Sequence, residues 1–562
     1  MIKNGKYKDL WCVADFETTT EKFYNENGYS RVWLWAISSN EGKTIAIGYN
    51  IDSFIKYCTD NLNNYVIFFH NLKFDGSYIL TYILEHQTPF KDKITARDNA
   101  CFNTLIGDMG QYYQITYHPR SQVTYYIQDS LKLLPFKVEK IAKDFKLPIL
   151  KGKIDYDKYD VTEEVLTYVK HDVEIVALAL REIKALGMDK MTTASCAYEL
   201  YSKTNPFMYD YFPLLDVEFL EKYRVAYRGG RSQVNPMYQD RIIYNVKRYD
   251  INSMYPHIMR NMELPIGKPI KQSSIGQRKF ELYEVDIKFK LKDGHLPTLL
   301  KKNVVFGDGS YYTESDGLER ICISSIDYEI LLRHYDIEII QFIEIWGFNT
   351  MRGLFDNYID KWYKIKQEHQ GAWRVVAKLM LNSLYGKFGS RCKGKGKIPI
   401  LNECGILAHE YTEEVDMKRY YLPVAIAITS YAHLLIDNAI MNTGVGNFVY
   451  CDTDSVHTLG ELSDEMVDNQ ELGKFKLEGV ELKSRYVRQK TYVYTELEDD
   501  TLIYNITCAG MNDEIKNYAI DTYKDRIFDV FTVGFKIENM KLVPTMVKGG
   551  IILTKTSFEI RV

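Results

Sequence analysis

The sequence predicts a multidomain protein of mixed α/β and α+β class, and three observations carry that prediction. At 562 residues the chain has room for roughly three to five domains of ~100–200 residues each. From about residue 8 to 190, strand-like and helix-like runs alternate, as in an α/β domain. Beyond about residue 240, another strand ending in an acid is followed by mixed sequence and then by a pair of helices.

The elements follow in chain order. "LWCVADFETTT" is an apolar strand ending in acids, and "YVIFFHNLKFDGSYILTYIL" reads as strand, turn and helix. "VTEEVLTYVKHDVEIVALALREIKAL" is a long amphipathic helix with acids in its first turn, where the helix dipole favours them. "VKRYDINSMYP" is a second strand ending in an acid. Residues 354 to 389 predict two helices broken near "QEHQGAW", and "SRCKGKGKIP" reads as a Gly/Lys-rich loop. "YYLPVAIAITSYAHLLIDNAI" is the most apolar stretch, but Pro423, His433 and Asp437 mark it as a buried helix, not a membrane span. The C-terminal "GGIILTKTSFEIRV" is strand-like.

Composition narrows the classes. Hydrophobic residues make up 46% and charged residues 26%, as in a folded, soluble chain. The net charge of −4 excludes a globally basic nucleic-acid binder, so any such contact must come from local basic patches. One candidate is "KSRYVRQK", with four cations in eight residues. Nine scattered cysteines without a CxxC pair argue against a zinc ribbon and fit reduced thiols in a cytosolic setting. The first residues lack an apolar core of signal-peptide length. The 45 tyrosines can stack on bases or simply pack.

Two acidic constellations carry chemistry. The first combines Asp15 and Glu17 in "DFE", Asn71 and Asp75 in "HNLKFDG", and Tyr168 and Asp172 in "YVKHD". Asp15 and Glu17 share a strand face, and Tyr168 and Asp172 share a helix face. Four carboxylates from three elements would hold two divalent ions about 3.5–4 Å apart, an arrangement that hydrolyses phosphodiesters. Tyr168 would orient the attacking water.

The second begins at "NFVYCDTDSVHT". On a strand, Asp452 and Asp454 would point to one face, and like charges so close call for a cation between them. A polar turn between two strands is the plainer reading of the same residues. Asp250 in "YDINSMYP" supplies a third acid. In "KLMLNSLYGKFGS", a helix puts Lys378, Asn382 and Tyr385 on one face.

Together, "YDINSMYP", "KLMLNSLYGKFGS", "YCDTDS" and "RQKTY" resemble motifs A, B, C and KxY of family B DNA polymerases, and the first constellation resembles the three motifs of their ribonuclease-H-like 3′→5′ exonuclease domain. "HNLKFDG", "DSLKLLPF", "KIAKDFKL", "LKGKIDY" and "AYRGG" extend the resemblance, over essentially the full chain, to the protein-primed DNA polymerases of small Bacillus phages, the phi-twenty-nine type. That resemblance implies a right-hand polymerase with two insertions. It implies an exonuclease domain at 1–190, palm at 191–261 and 424–508, insertions at 262–353 and 390–423, fingers at 354–389 and a thumb at 509–562.

Roles follow residue by residue. Asp250, the Ile251 carbonyl and Asp454 would bind two magnesium ions, for which manganese would substitute, with Asp452 beside them. Asp15, Glu17 and Asp172 would bind the exonuclease metals, with Asp75 and Lys151 assisting. Ser253, Met254, Tyr255, Lys366, Lys378, Asn382 and Tyr385 would bind the incoming nucleotide, Tyr255 excluding a 2′-hydroxyl. Arg374 stands where this type has lysine, and would still meet phosphate. Tyr227, Arg228, Gly229 and Gly230 would touch template, and Lys490, Thr491 and Tyr492 the primer terminus. Thr18, Phe68, His70, Asn71, Phe74, Ser130 and Leu131 would line the cleft for single-stranded primer ends. The resemblance further implies a terminal-protein partner at the first insertion, intrinsic strand displacement from a ring closed by the second, a monomer, no membrane partner, and work in the cytoplasm of a bacterial host. The rival readings are an oligonucleotide-primed family B repair or replication polymerase, a nuclease, and a catalytically silent DNA-binding platform; intact Asp250, Asp454, Lys378 and Tyr385 oppose the last two.

Overall fold

The computed structural model describes residues 10–301 and 311–561. Positions 1–9, 302–310 and 562, which belong to the expected exonuclease, first-insertion and thumb segments, lie outside the described residues.

The N-terminal unit is built on a seven-stranded sheet in the order 44–48, 32–39, 11–18, 66–69, 123–129, 112–120, 101–106. Its centre is parallel: Trp11–Thr18 pairs parallel with Val66–Phe69, which pairs parallel with Val123–Asp129. Buried parallel strands carry continuous apolar runs, and Trp11 to Ala14 and Ile67 to Phe69 are buried accordingly. The helix Glu163–Ala185 packs on this sheet with Val169, Val173, Val176, Leu180 and Ile183 inward. Thr162 caps its first turn by accepting from the Val165 amide. The helix Leu72–Glu85 covers the other face.

The second large sheet has the order 501–508, 491–498, 475–488, 242–251, 455–458, 448–452, 232–234, all antiparallel. The strand Ile242–Ile251 is central, between Phe475–Arg488 and Ser455–Thr458. One face is backed by helices Met254–Asn261, Ala372–Phe388 and Leu422–Thr443. The last of these is the apolar stretch singled out above. Among the described residues it is the one helix long and apolar enough to cross a bilayer, yet 67% of its apolar window is buried in the protein core. Helices Asp356–Glu368 and Ala372–Phe388 form the expected pair, and the break falls at Gly371, whose φ of +65° costs glycine little.

Residues 262–353 form a four-stranded sheet, 264–271, 335–351, 280–291, 319–324, with helix Ser325–His334 against it. The segment "SRCKGKGKIP" is not a plain loop. Lys393–Gly394 pairs with Val415–Asp416, and Lys397–Leu401 pairs with Leu407–Tyr411. Alternating Lys and Gly hide strand propensity, and cross-strand partners supply it. The chain ends in the hairpin Lys536–Val547 and Gly550–Glu559. All nine cysteines are free, and only Cys404 is exposed.

Candidate active sites

Two separate clefts collect the predicted acids. The first, about 560 Å³, lies over the end of the strand Ile242–Ile251 and is lined by Asp250, Ile251, Ser253, Met254, Tyr255, Lys366, Arg374, Lys378, Asn382, Tyr385 and Asp454. Asp250 lies opposite Ser455 in the register. The chain reverses between Asp452 and Ser455 through Thr453, at φ +60°. The Asp454 amide donates to the Asp452 carbonyl at 2.7 Å, and the Ile251 amide donates to the Asp454 carbonyl at 2.8 Å. Those bonds seat the second acid beside the first.

Here the structure corrects one expectation. Asp452 and Asp454 do not share a strand face, because the strand ends at Asp452 and Asp454 belongs to the turn. The two carboxylates diverge. Asp454 enters the cleft, while Asp452 takes a bidentate contact from the Lys490 ammonium, 2.8 Å to each oxygen.

Electrostatics mark the cleft as strained. Burial, then Asp454 and Glu478, push the Asp250 carboxyl up to about 7 against Lys378 and Lys476. Burial likewise raises Asp454, against Lys378 and Lys490. Opposite the acids stand cations: Lys366 is pulled down by burial and by Lys378 and Arg374, and its ammonium donates to Ser253 Oγ at 2.9 Å. Ser253 itself sits at φ +52°, opening the helix Met254–Asn261 at the cleft wall. Tyr255 and Tyr385 stack with ring centroids 4.1 Å apart and planes at 20°. An all-oxygen donor set of two carboxylates and a nearby carbonyl suits a hard divalent cation.

The second cleft, about 1000 Å³, is lined by Asp15, Glu17, Thr18, His70, Phe74, Lys151, Tyr168 and Asp172. The carboxylate oxygens of Asp15, Glu17 and Asp172 lie within 4.8 Å of one another. Burial, then Asp172, raises Asp15 to about 7, and burial followed by Asp15 and Asp172 raises Glu17. Lys151 bonds Asp172 Oδ2 at 2.5 Å, while Asp172 Oδ1 is buried with no hydrogen-bond partner among the described residues. A buried orphan oxygen among three crowded acids is what a divalent cation would satisfy. Asp75 stands behind the trio, fully buried, its carboxyl raised by burial and then by Asp15. Tyr168 hydrogen-bonds the Tyr156 hydroxyl at 2.9 Å.

A family model described as DNA polymerase type B, organellar and viral, matches residues 57–160 and 155–471. The chain is 35% identical to the DNA polymerase of Bacillus phage phi29, over 98% of this chain and 98% of that one. The chain belongs to the organellar and viral type B DNA polymerases. It is also 33% identical to the DNA polymerase of Streptococcus phage Cp-1, over 98% of each. Its fold matches phi29 DNA polymerase complexed with single-stranded DNA at a TM-score of 0.88, with 33% identity, covering 98% of this chain and 100% of that one. The match to the complex of phi29 DNA polymerase with primer–template DNA and incoming nucleotides has the same TM-score, 0.88, at 34% identity.

In this polymerase the remaining predicted residues separate into those that reach a surface and those that do not. Phe68 does not reach the cleft; it is 3% exposed, edge-on to Trp11 in the core. Ser130 is also buried, holding His70 Nδ1 at 3.0 Å, while the other His70 nitrogen meets the Phe136 carbonyl. Asn71 is exposed at φ +76°, its amide donating to Asp129, and Leu131 is half-buried. Thr491 is buried against Cys508, while Tyr492 stacks on Tyr486 at 4.9 Å and Lys490 stays exposed.

The Tyr227–Gly230 segment lies directly against both the helix Ala372–Phe388 and the Thr453 turn. A Cβ on Gly389 would meet the Tyr227 ring at 2.4 Å, and one on Gly230 would meet Thr453 Oγ1 at 2.7 Å. The Thr453 amide donates to the Arg231 carbonyl at 2.8 Å. Gly230→Ala must therefore displace the turn that carries Asp454. We expect its polymerisation kcat to fall by roughly ten-fold or more with degradation of single-stranded primer unchanged, read by paired steady-state assays.

Sequence reasoning missed several residues at the clefts. Tyr156, beside Tyr168, closes the stretch "LKGKIDY", where sequence reasoning assigns it no role. Glu478, which acts electrostatically on Asp250, and Leu542, Leu553 and Lys555 of the C-terminal hairpin in the wall of the second cleft have no motif around them. The hairpin arrives from more than 350 residues away, so no local pattern marks it.

Proposed function

We propose that this chain is a DNA-dependent DNA polymerase with a proofreading 3′→5′ exonuclease, protein-primed and strand-displacing, that replicates a viral genome. The observation that carries the reading is the convergence of Asp250 and Asp454 on one cleft opposite Lys366, Arg374 and Lys378, under the Tyr255–Tyr385 stack.

In this reading the cations bind the triphosphate of an incoming nucleotide, and the amides at Ser253 and Met254 assist them. Tyr385 faces the nascent base pair. Tyr255 lies beneath the sugar. Lys490 and Tyr492 hold the primer end, and the Lys490–Asp452 pair fixes that grip to the turn bearing Asp454. Asp250, Asp454 and the Ile251 carbonyl would hold magnesium, as Asp15, Glu17 and Asp172 would in the second cleft. When bound, such ions neutralise phosphate charge and activate the attacking oxygen. Tyr168 and Lys151 orient groups in the exonuclease cleft, into which Thr18, His70 and Phe74 guide a frayed primer end. The right-hand domain plan, with the ribonuclease-H-like unit at 1–190 and boundaries near 261, 353, 389, 423 and 508, belongs to the same reading.

Strand displacement is supported by contacts that link distant segments around a closed path. Ile406 of the second insertion bridges Lys548 at the C-terminal hairpin tip, and the Ser30 amide donates to the Lys548 carbonyl at 2.9 Å. Tyr112 meets His409 at 2.8 Å, and Gly107 bridges Gly396. The terminal-protein reading is supported by the exposed arm of the first insertion, where Ile339, Ile340 and Ile343 face solvent.

The test is extension on a primed single-stranded circle with magnesium, four dNTPs and no accessory protein. Product many circle-lengths long is expected. Product that stops after one lap would remove the strand-displacement claim, and no product with intact primer degradation would leave a nuclease. A further expected result concerns sugar choice. Tyr255→Val opens space below the ribose, so ribonucleotide incorporation should rise by roughly ten-fold to a hundred-fold. Unchanged discrimination in single-nucleotide assays would sink that role for Tyr255.

A further inference from the structure

His433 projects from the long buried helix Leu422–Thr443 into the junction of three segments. Its Nδ1 lies 2.8 Å from Asp327 Oδ1, on the helix Ser325–His334 of the first insertion. Its Nε2 lies 2.7 Å from the Gly229 carbonyl, in the segment expected to touch template. A carbonyl oxygen only accepts, and an ionised carboxylate only accepts. A neutral imidazole carries one N–H and satisfies one of the two. Both contacts are hydrogen bonds only if the ring carries both protons.

The facing carboxylate is ionised and can only accept. Burial alone would raise Asp327, but the facing His433, Arg228 and Ser430 outweigh it and bring the carboxyl down to about 2. Asp327 Oδ2 also accepts from Ser430 at 2.7 Å. Arg228 faces the same carboxylate and Tyr311 lines the same small cavity. One turn along the helix, Asp437 is occupied by Arg231 at 3.1 Å, Arg333 at 3.2 Å and His334 at 2.8 Å. Among the described residues, Asp327 is the acid in direct contact with the His433 ring.

We propose that His433 is a positioning residue of the polymerase site, acting as a doubly protonated strap that ties Gly229 to the first insertion. The route to the chemistry is short. Gly230 lies under Thr453, and the Arg231 carbonyl takes the Thr453 amide, so the loop that His433 grips is the seat of the Asp454 turn. Loss of either bond frees the loop, and the grip on primer–template weakens. The inference rests on the polymerase reading above.

The experiment measures primer–template binding by fluorescence anisotropy and polymerisation kcat and KM for the full chain at one pH. His433→Phe should weaken binding by roughly ten-fold or more, the weight of hydrogen bonds to charged groups. His433→Arg supplies two donors and should restore wild-type binding. Wild-type binding in the Phe variant, or Arg binding as weak as Phe, would each overturn the proposal. Should the Phe variant fail to fold by circular dichroism, the Arg variant decides alone. A wild type that binds DNA but adds no nucleotide would instead overturn the polymerase reading.

Discussion

Asp454→Ala abolishes nucleotide addition, by on the order of 10³-fold, and leaves primer degradation at the wild-type rate. The size follows from the site. Asp454 is one of two cleft carboxylates held above the usual range, Asp250 by burial and then Asp454, and Asp454 by burial and then Asp452, and removing it leaves Asp250 alone opposite the lysines. The selectivity follows from geometry, because the two clefts have no lining residue in common. The measurement is a paired assay on one preparation: extension of a labelled primer–template and shortening of a labelled single strand. Loss of both activities would mean that the clefts are not independent. Asp452→Ala should have a milder effect of another kind. It frees Lys490 from its bidentate pair, so affinity for the primer end should change more than kcat.

The second large effect is the reverse. Asp15→Ala combined with Asp75→Ala removes primer degradation, again on the order of 10³-fold, and leaves extension intact. This variant also has a stability signature. Asp15 is raised to about 7 by burial and then by Asp172, and Asp75 is raised by burial and then by Asp15. Carboxyls raised on folding oppose the folded state increasingly as pH rises above their unfolded values near 4. Their removal relieves that opposition, so the double variant should melt no lower than the wild type at pH 8 in metal-free buffer. At pH 4, where the unfolded carboxyls are themselves largely protonated, the advantage should shrink. A lower melting temperature at pH 8 would mean that these acids serve packing more than chemistry. Added magnesium should narrow the gap at pH 8, because the wild type binds it in both clefts and the variant only in the first, read in the same melting curves.

The sequence alone determined the elements and the acids. Apolar runs and helical patterns located the strand Trp11–Thr18, the long helix with acids in its first turn, the helix pair broken near "QEHQGAW" and the buried helix Leu422–Thr443. These are local properties, set by side-chain alternation and by the few residues that end a helix. The motif residues of both clefts were legible for the same reason, since Lys378, Asn382 and Tyr385 need only helical spacing to share a face.

What the tertiary structure decided are relations between distant segments. The divergence of Asp452 and Asp454 depends on a turn whose Thr453 amide is held by Arg231, 222 positions earlier. Phe68 and Ser130 carry the right residue types for a binding cleft but lie behind it, because strand alternation does not say which face a sheet buries. The C-terminal hairpin in the wall of the second cleft and the His433 strap share one physical cause. Each meets partners far along the chain, and such contacts leave no periodicity behind them. The strands hidden in "SRCKGKGKIP" pair nearby, but alternating Lys and Gly give no strand pattern.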